Sequence, residues 1–235
     1  MRYAICLKCQ SSLFPAPYRC RSTHTVWLCM QQLGLEWVPV YKHFGLNERN
    51  YGALVGRNKA QCTEEYGSEQ VRKWRRSWDS PPPPMSTTSE FWPGNDPRYL
   101  QLGITEAMIP RAESLKDVTK RSSVFWDQII VPDLKASKKV LIVGHENNLR
   151  SIIKRLDNIS DEDILHIELP RGIPLVYHLE SVTLKPIKAT NHAPGLSGEY
   201  LEAPEVLRKI YENNLKIVYG KENAIKMAEE KYGKS

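Results

Sequence analysis

The chain has 235 residues, and 41% of them are hydrophobic, which is enough to build a substantial buried core. Its net charge of +6 favours small anionic partners, but the lysines and arginines are spread along the whole length, so a nucleic-acid-binding face is not indicated. No apolar stretch approaches the length of a membrane span, and the apolar run over residues 4–7 is too short for a signal peptide, so we expect a cytoplasmic protein with no membrane partner.

The cysteines are confined to the first quarter of the chain. All five lie at or before Cys62, and Cys6 and Cys9 form a Cys-x-x-Cys pair with Cys20 and His24 further on. A zinc site or a redox pair is one interpretation of this spacing. However, Cys20 and His24 would share one helical turn and no second ligand pair follows, so we expect free thiols and no metal.

The first half of the chain predicts two helices and a strand before a long loop. The pattern predicts a helix over residues 20–33 that stops at Gly34, a strand over 37–41, and a second helix over 63–78. Four consecutive prolines then begin an extended, solvated loop that covers residues 81–110.

The second half predicts further helices and one strand at the edge of a sheet. A helix is expected over residues 113–134 with a break near Pro132, and a short helix begins in a capping-box-like run at Ser160. Residues 173–179 alternate as an edge strand, and a helix is expected over 204–213. The remaining tail is charged and mixed in sign, which is typical of a solvated helix or a loose end.

A histidine stands between a predicted strand and a predicted helix. Residues 140–143 form a short β-branched apolar run that predicts a buried strand, and apolar residues at 149, 152, 153 and 156 mark one face of a helix. His145 would therefore lie at the carboxyl end of a strand, where ligands bind in open α/β sheets, beside a helix N-terminus that suits phosphate. Taken alone, the pattern favours a turn histidine with no ligand.

Five strings in fixed order extend this picture: LNERNYGALVGRNKA (46–60), EQVRKWRRSWDSPPPP (69–84), ESLKDV (113–118), VLIVGHENNLR (140–150) and LPRGIPLVYHLE (169–180). With them the chain resembles the cofactor-dependent phosphoglycerate mutases and bisphosphoglycerate mutases of the histidine phosphatase superfamily, from about residue 21 to residue 187. The resemblance implies an α/β fold with a mostly parallel sheet flanked by helices, lacking the usual first strand. It also implies a domain over 21–213, preceded by a divergent segment (1–20) and followed by a charged tail (214–235).

The resemblance assigns roles to individual residues. It makes Glu48 the general acid/base and His145 the histidine that binds and orients the transferred phosphoryl group. The residues that it places around the substrate's phosphates and carboxylate are Arg21, Arg49, Tyr51, Lys59, Arg75, Arg76, Glu146 and Asn147. It implies 2,3-bisphosphoglycerate as the primer, small phosphorylated acids as ligands, a homodimer, and no metal. Without the resemblance, a Trp-Arg-Arg run is more often a solvated helix face.

Two departures from the family pattern leave three interpretations open. The sequence contains no Arg-His-Gly, the motif that carries the family's phosphoryl-accepting histidine, and Glu146 stands where the family has a glycine. The chain is therefore a mutase that interconverts 2- and 3-phosphoglycerate, a non-catalytic relative that binds a phosphorylated acid or a protein, or the product of a truncated reading frame. Loss of a nucleophile leaves only the binding and electrostatic parts of catalysis.

Overall fold

The computed structural model describes residues 3–7, 21–101, 103–219 and 221–232, with side chains described everywhere except at 3–7, 44, 98, 100, 214–219 and 221. By its internal contacts the chain divides into two compact units. The first unit comprises Met1–Arg155 and Ile159–His166, and the second comprises Leu156–Asn158 and Ile167–Ser235. The domain boundaries drawn from the resemblance, after residues 20 and 213, stay predictions.

The described part of the first unit contains three strands and seven α-helices, five of which follow one another between β2 and β3. Its elements are β1 (Tyr3–Leu7), α1 (Arg21–Leu33), β2 (Val40–Tyr41), α2 (Lys59–Tyr66), α3 (Ser68–Arg76), α4 (Pro97–Gln101), α5 (Leu115–Phe125), α6 (Val131–Lys135), β3 (Lys139–Val143) and α7 (Glu146–Leu156). The helix predicted over 20–33 is confirmed within one residue, and Gly34 ends it with a φ of +62°. The strand predicted over 37–41 is reduced to its last two residues.

The sheet of the first unit is small and has β1 at its centre. The strand order is β2-β1-β3, with both pairings parallel, and Tyr3 pairs with Lys139 at the start of the β1–β3 ladder. The prediction that the first strand is lacking is therefore wrong, because the apolar run over 4–7 forms a strand. The extended, mostly parallel sheet implied by the resemblance is not shown, since the other described strands form two-stranded antiparallel sheets.

The helix predicted over 63–78 is two helices. Gly67 separates α2 from α3 with a φ of +81°, a left-handed conformation that favours glycine and ends the first helix. Conversely, the break expected near Pro132 is absorbed within continuous helical backbone. A π-helical turn over Trp126–Ile130 links α5 to α6, and Pro132 lies in the first turn of α6, where its missing N–H leaves no donor unpaired.

The segment over 81–110 is not the solvated loop that its prolines predict. Its apolar side chains form a buried cluster of Met85, Trp92, Tyr99, Ile104 and Ile109. The turn of Gly52 lies against its start, because a Cβ at Gly52 would meet the carbonyl oxygen of Pro83 at 2.1 Å. The segment therefore contributes a small hydrophobic core to the first unit, although its proline-rich composition is typical of a solvated loop.

The second unit contains short strands and two helices. Its elements are β4 (Leu175–Val176), β5 (His178–Leu179), β6 (Pro186–Ile187), β7 (Glu199–Tyr200), α8 (Pro204–Tyr219) and α9 (Lys221–Tyr232). The single strand predicted over 173–179 is two strands that pair in different sheets, β4 with β7 and β5 with β6. Both pairings are antiparallel.

The charged tail is a packed helix and not a loose end. Ala224 and Ala228 of α9 are fully buried, and the rings of Tyr211 and Tyr232 meet edge to face with 5.6 Å between their centroids. The ammonium group of Lys231 lies 4.5 Å from the Tyr211 ring centroid, so its charge makes a cation–π interaction within the second unit.

Neither a membrane-spanning helix nor a metal-binding cluster is found among the described residues. No helix there is both long enough and apolar enough to cross a lipid bilayer. No group of three or more His, Cys, Asp or Glu side chains in the described part could hold a metal ion. The zinc alternative rests on Cys6, Cys9 and Cys20, whose side chains lie outside the described residues.

Candidate functional site

The backbone over residues 45–48 is held by one arginine. Arg121 of α5 donates from Nη1 to the carbonyl oxygen of Gly45 at 2.7 Å and from Nη2 to those of Asn47 at 2.8 Å and Glu48 at 3.2 Å. Its Nε donates to Glu113 Oε1 at 2.6 Å, and the carboxylate of Glu113 is buried. Five donors in a rigid fork suit this combination of carbonyls and carboxylate.

The same carboxylate fixes the next residue of the loop. Asn50 donates its backbone N–H to Glu113 Oε2 at 2.8 Å and its side-chain Nδ2 to the carbonyl of Pro110 at 2.6 Å. Just after Glu113, Ser114 and Asp117 form a capping box that starts α5, so the helix end lies in a defined place. The loop that carries Glu48 is therefore fixed by Arg121, which lies on α5, and by Glu113, which directly precedes the capped start of that helix.

Glu48 and His145 face each other across the site. Glu48 Oε2 lies 3.8 Å from His145 Nδ1, too far for a hydrogen bond but close enough for a strong electrostatic interaction. Glu48 Oε1 accepts from the backbone N–H of Arg49 at 2.7 Å and from Nδ2 of Asn147 at 3.1 Å. His145 lies between β3 and α7, so its predicted place at a strand end and a helix start is confirmed.

Asn147 is oriented by a buried arginine on the next turn of α7. Arg150 donates from Nη1 to Asn147 Oδ1 at 3.2 Å and from Nη2 to the carbonyl oxygen of Ile164. With its oxygen engaged, the amide of Asn147 presents Nδ2 to Glu48 and also to the hydroxyl of Tyr51, at 2.8 Å. Arg150 thus decides which end of the amide faces the carboxylate.

Two guanidinium groups are buried at this site with unused donors. Arg49 is fully buried and donates from Nη2 to the carbonyls of Trp74 and Arg75, each at 3.0 Å. Its Nε and Nη1, and Nε of Arg150, have no hydrogen-bond partner within the part of the chain that the structure describes. The guanidinium groups of Arg49 and Arg75 also lie 4.5 Å and 4.9 Å from the ring centroid of Tyr51. Buried donors without partners are rare and call for an explanation.

The site has an excess of positive charge. Burial and the charges of Arg76 and Arg49 together lower the pKa of Arg150 to about 10, while the carboxylate of Glu146 opposes the shift. Glu146 Oε1 lies 3.1 Å from Nη1 of Arg76, and both side chains are 35% exposed. An anion would therefore find a site with concentrated positive charge, of which Glu146 already neutralises one part.

Two of the predicted residues lie at the margins of this cluster. Arg21 is exposed at the first residue of α1, and its charge reaches His145 electrostatically. Lys59 is exposed at the first residue of α2, after its N-cap Asn58, and takes no part in the contacts described above. The other predicted residues converge: Glu48, Arg49, Tyr51, Arg75, Arg76, His145, Glu146 and Asn147. Their roles in binding or catalysis stay predictions.

Sequence reasoning missed the residues that hold the others in place. Arg150, Glu113, Arg121 and Asn50 were not predicted as site residues. One signal was available for Arg150, since it follows Asn147 by three positions on a helix and so shares its face. No local signal identifies Glu113 or Arg121, because their contacts join segments far apart in sequence.

Burial and charge both act on His145. Desolvation holds the pKa of His145 below its ordinary value of 6.5, the carboxylate of Glu48 raises it, and the charge of Arg21 lowers it further. The neutral imidazole is therefore favoured in the folded chain. A neutral His145 can offer one ring nitrogen as an acceptor and the other as a donor.

Comparison with known families agrees with this geometry over the first unit. Residues 18–93 match the sequence model of the histidine phosphatase superfamily (branch 1). This stretch is therefore similar to the histidine phosphatase superfamily domain. It contains Glu48, Arg49, Tyr51 and the α3 arginines, whereas His145 lies beyond the matched residues.

Solved structures of similar fold include proteins with phosphatase or hydrolase names. A mycobacterial glucosyl-3-phosphoglycerate phosphatase is 13% identical over 79% of this chain and 74% of its own, with a TM-score of 0.51. YhfR from Bacillus stearothermophilus is 13% identical over 79% and 71%, with a TM-score of 0.52. Mycobacterial hydrolase 2 is 13% identical over 89% and 76%, with a TM-score of 0.51. At such identities the likeness shows a shared fold and not a shared activity.

The buried ion pair beneath the loop makes a stability prediction. Arg121→Gln leaves the Glu113 carboxylate buried without its charge partner, so we expect a loss of about 3–5 kcal/mol in the free energy of unfolding. The matched control is Arg155→Gln, which breaks the exposed pair with Asp127 and should cost no more than about 1 kcal/mol. Urea unfolding of the two variants checks this, and equal losses would show that Arg121 does not hold the loop.

The lowered pKa of His145 makes stability depend on pH. Because the folded pKa lies below the unfolded value of 6.5, the contribution is complete above that value and is lost as pH falls through the folded pKa. The free energy of unfolding should therefore fall more steeply in the parent than in His145→Asn between about pH 7 and about pH 5. Parallel curves for parent and His145→Asn would contradict the assignment.

Proposed function

We propose that this chain binds a small phosphorylated acid at the cluster of Glu48, Arg49, Arg76, His145 and Asn147. The observation that carries the proposal is the set of unused donors on two buried guanidinium groups, Arg49 and Arg150. An anion that accepts from them would satisfy hydrogen bonds that the described protein groups leave unmade. Guanidinium forks suit both carboxylate and phosphate because they donate two parallel hydrogen bonds.

The fold neighbours support a phosphorylated ligand. One of them is by name a glucosyl-3-phosphoglycerate phosphatase, so phosphorylated glycerate derivatives are a reasonable class to test first. The ligand class also agrees with the resemblance to the phosphoglycerate mutases. It agrees with the charge of the chain, since +6 favours anionic partners over cationic ones.

The second candidate is the isomerase activity that the resemblance implies. It is favoured by the 3.8 Å approach of Glu48 to His145, which brings a general acid/base carboxylate beside an imidazole. When bound, 2,3-bisphosphoglycerate would supply the phosphoryl group that primes a histidine. His145 is the histidine that this site offers, and Asn147, Arg49 and Arg76 would hold the anionic groups of the ligand. The absence of Arg-His-Gly from the sequence makes binding without turnover the stronger proposal.

Ligand binding can be tested with 3-phosphoglycerate. We expect it to raise the thermal midpoint of the parent, because a ligand that binds only the folded chain stabilises it, by about 2.7 kcal/mol at a hundredfold excess over Kd. Arg76→Ala should abolish that shift, whereas Arg155→Gln should keep it, because Arg155 pairs with Asp127 on the surface away from the contacts of the cluster. Glycerate without phosphate should produce no shift.

Two results would change the proposal. A flat response in a protein that unfolds cooperatively would end the binding hypothesis. A phosphohistidine trapped after incubation with radiolabelled 2,3-bisphosphoglycerate, and lost in His145→Asn, would favour the isomerase instead. We expect no such trapped species.

We also propose that the chain forms a homodimer through an apolar face of the first unit. Trp27, Leu33 and Trp37 are each more than half exposed, and an open cavity of about 390 Å³ is lined by Trp27, Met30, Gln31, Glu36 and Val40. Large exposed aromatic residues are typical of interfaces between chains.

Light scattering checks the oligomeric state. The parent should have the mass of two chains, and Trp37→Ser should reduce it to one, because truncating a large exposed aromatic removes apolar area from the interface. Val182→Ser is the control, since Val182 is similarly exposed but belongs to the second unit. A monomeric parent would overturn this proposal and leave the ligand proposal standing.

A further inference from the structure

The carboxylate of Glu146 is paired with Arg76, an arginine of the proposed anion site. Glu146 Oε1 lies 3.1 Å from Nη1 of Arg76, and neither side chain is buried, each being 35% exposed. The pair joins the first residue of α7 to the last residue of α3, 70 positions apart in sequence. It is therefore a tertiary contact at the site and not a local pair on one helix.

The position of Glu146 places its charge among the groups that would bind a ligand. Glu146 follows His145 and precedes Asn147, and both of those residues face Glu48. A carboxylate in the first turn of α7 also interacts favourably with the helix dipole, so Glu146 is stable in this place without any ligand.

Charges around Arg150 show the same competition. The positive charge of Arg76 lowers the pKa of Arg150, and the negative charge of Glu146 raises it, so the two act in opposite directions on the buried guanidinium. In the free chain Glu146 therefore offsets part of the positive charge that would attract an anion. A ligand's phosphate would have to replace that carboxylate on Arg76 to make a charge-assisted hydrogen bond of its own.

We infer that Glu146 acts as a built-in anion, occupying Arg76 in the free chain and weakening the binding of phosphorylated acids that must displace it. The inference rests on the proposed function, since it concerns the same site and the same class of ligand. It makes Glu146 a residue that sets affinity, and it predicts that a neutral side chain at this position binds the ligand more tightly. Ligands that use only the donors of Arg49 and Arg150 would be affected less.

The test is the dissociation constant for 3-phosphoglycerate, measured by titration calorimetry at one ionic strength. Glu146→Gln keeps the size of the side chain and removes its charge, and we expect binding about tenfold tighter, or about 1.4 kcal/mol. Glu64→Gln, on the exposed surface of α2, changes the net charge of the chain equally and should leave the dissociation constant unchanged. Adding Arg76→Gln to Glu146→Gln should abolish binding, as Arg76→Ala does in the parent, because the guanidinium for which Glu146 competes is then absent. Glu146→Ala serves as a second neutral variant if Glu146→Gln does not fold.

The outcomes separate this inference from the proposed function. Equal affinity in the parent and in Glu146→Gln, with measurable binding in both, overturns the inference and leaves the proposed function intact. Binding in Glu146→Gln but not in the parent supports the inference and shows that the parent has lost the proposed function through this one residue. An absence of binding in both neutral variants, each folded by its unfolding transition, overturns both. A tenfold gain that Glu64→Gln reproduces is a general charge effect and also overturns the inference.

Discussion

The candidate site depends on the buried pair of Arg121 and Glu113. Arg121 binds the carbonyl groups of Gly45, Asn47 and Glu48, and Glu113 binds the backbone N–H of Asn50. Neither residue faces a ligand, yet together they decide where the carboxylate of Glu48 lies. A different conformation of the loop would break these contacts and leave a buried charge uncompensated, which is costly. The position of Glu48 is therefore held by rigid surrounding groups, although Glu48 itself lies on a loop.

From that fixed loop the polar contacts run in a chain towards α7. Arg150 orients the amide of Asn147, the amide donates to Glu48, and Glu48 faces His145. Each side chain in this series uses the donor or acceptor that its neighbour leaves available. The number and type of hydrogen-bonding groups therefore determine the arrangement more than packing does. The unused donors on Arg49 and Arg150 are those that these contacts leave unpaired among the described residues, and the proposed binding of an anion rests on them.

Glu146 gives this chain a character of its own within that arrangement. Its carboxylate lies on Arg76, so the free chain has a lower positive charge at the site than its arginines alone would produce. A residue type that is favourable at a helix N-terminus is thus unfavourable for a phosphate ligand at the same place. We therefore expect Glu146 to lower the affinity for an anion without lowering the stability of the fold.

The sequence by itself determined where His145 lies and most of the helices, because helical periodicity and short motifs act locally. His145 at a strand end and the helix that stops at Gly34 both follow from neighbours a few positions apart. Only the tertiary structure decided that residues 4–7 form the central strand, that the proline-rich segment over 81–110 contains a core, and that Arg121 holds the loop of Glu48. These features depend on partners far away in the chain, and no local pattern records a partner that is distant in sequence.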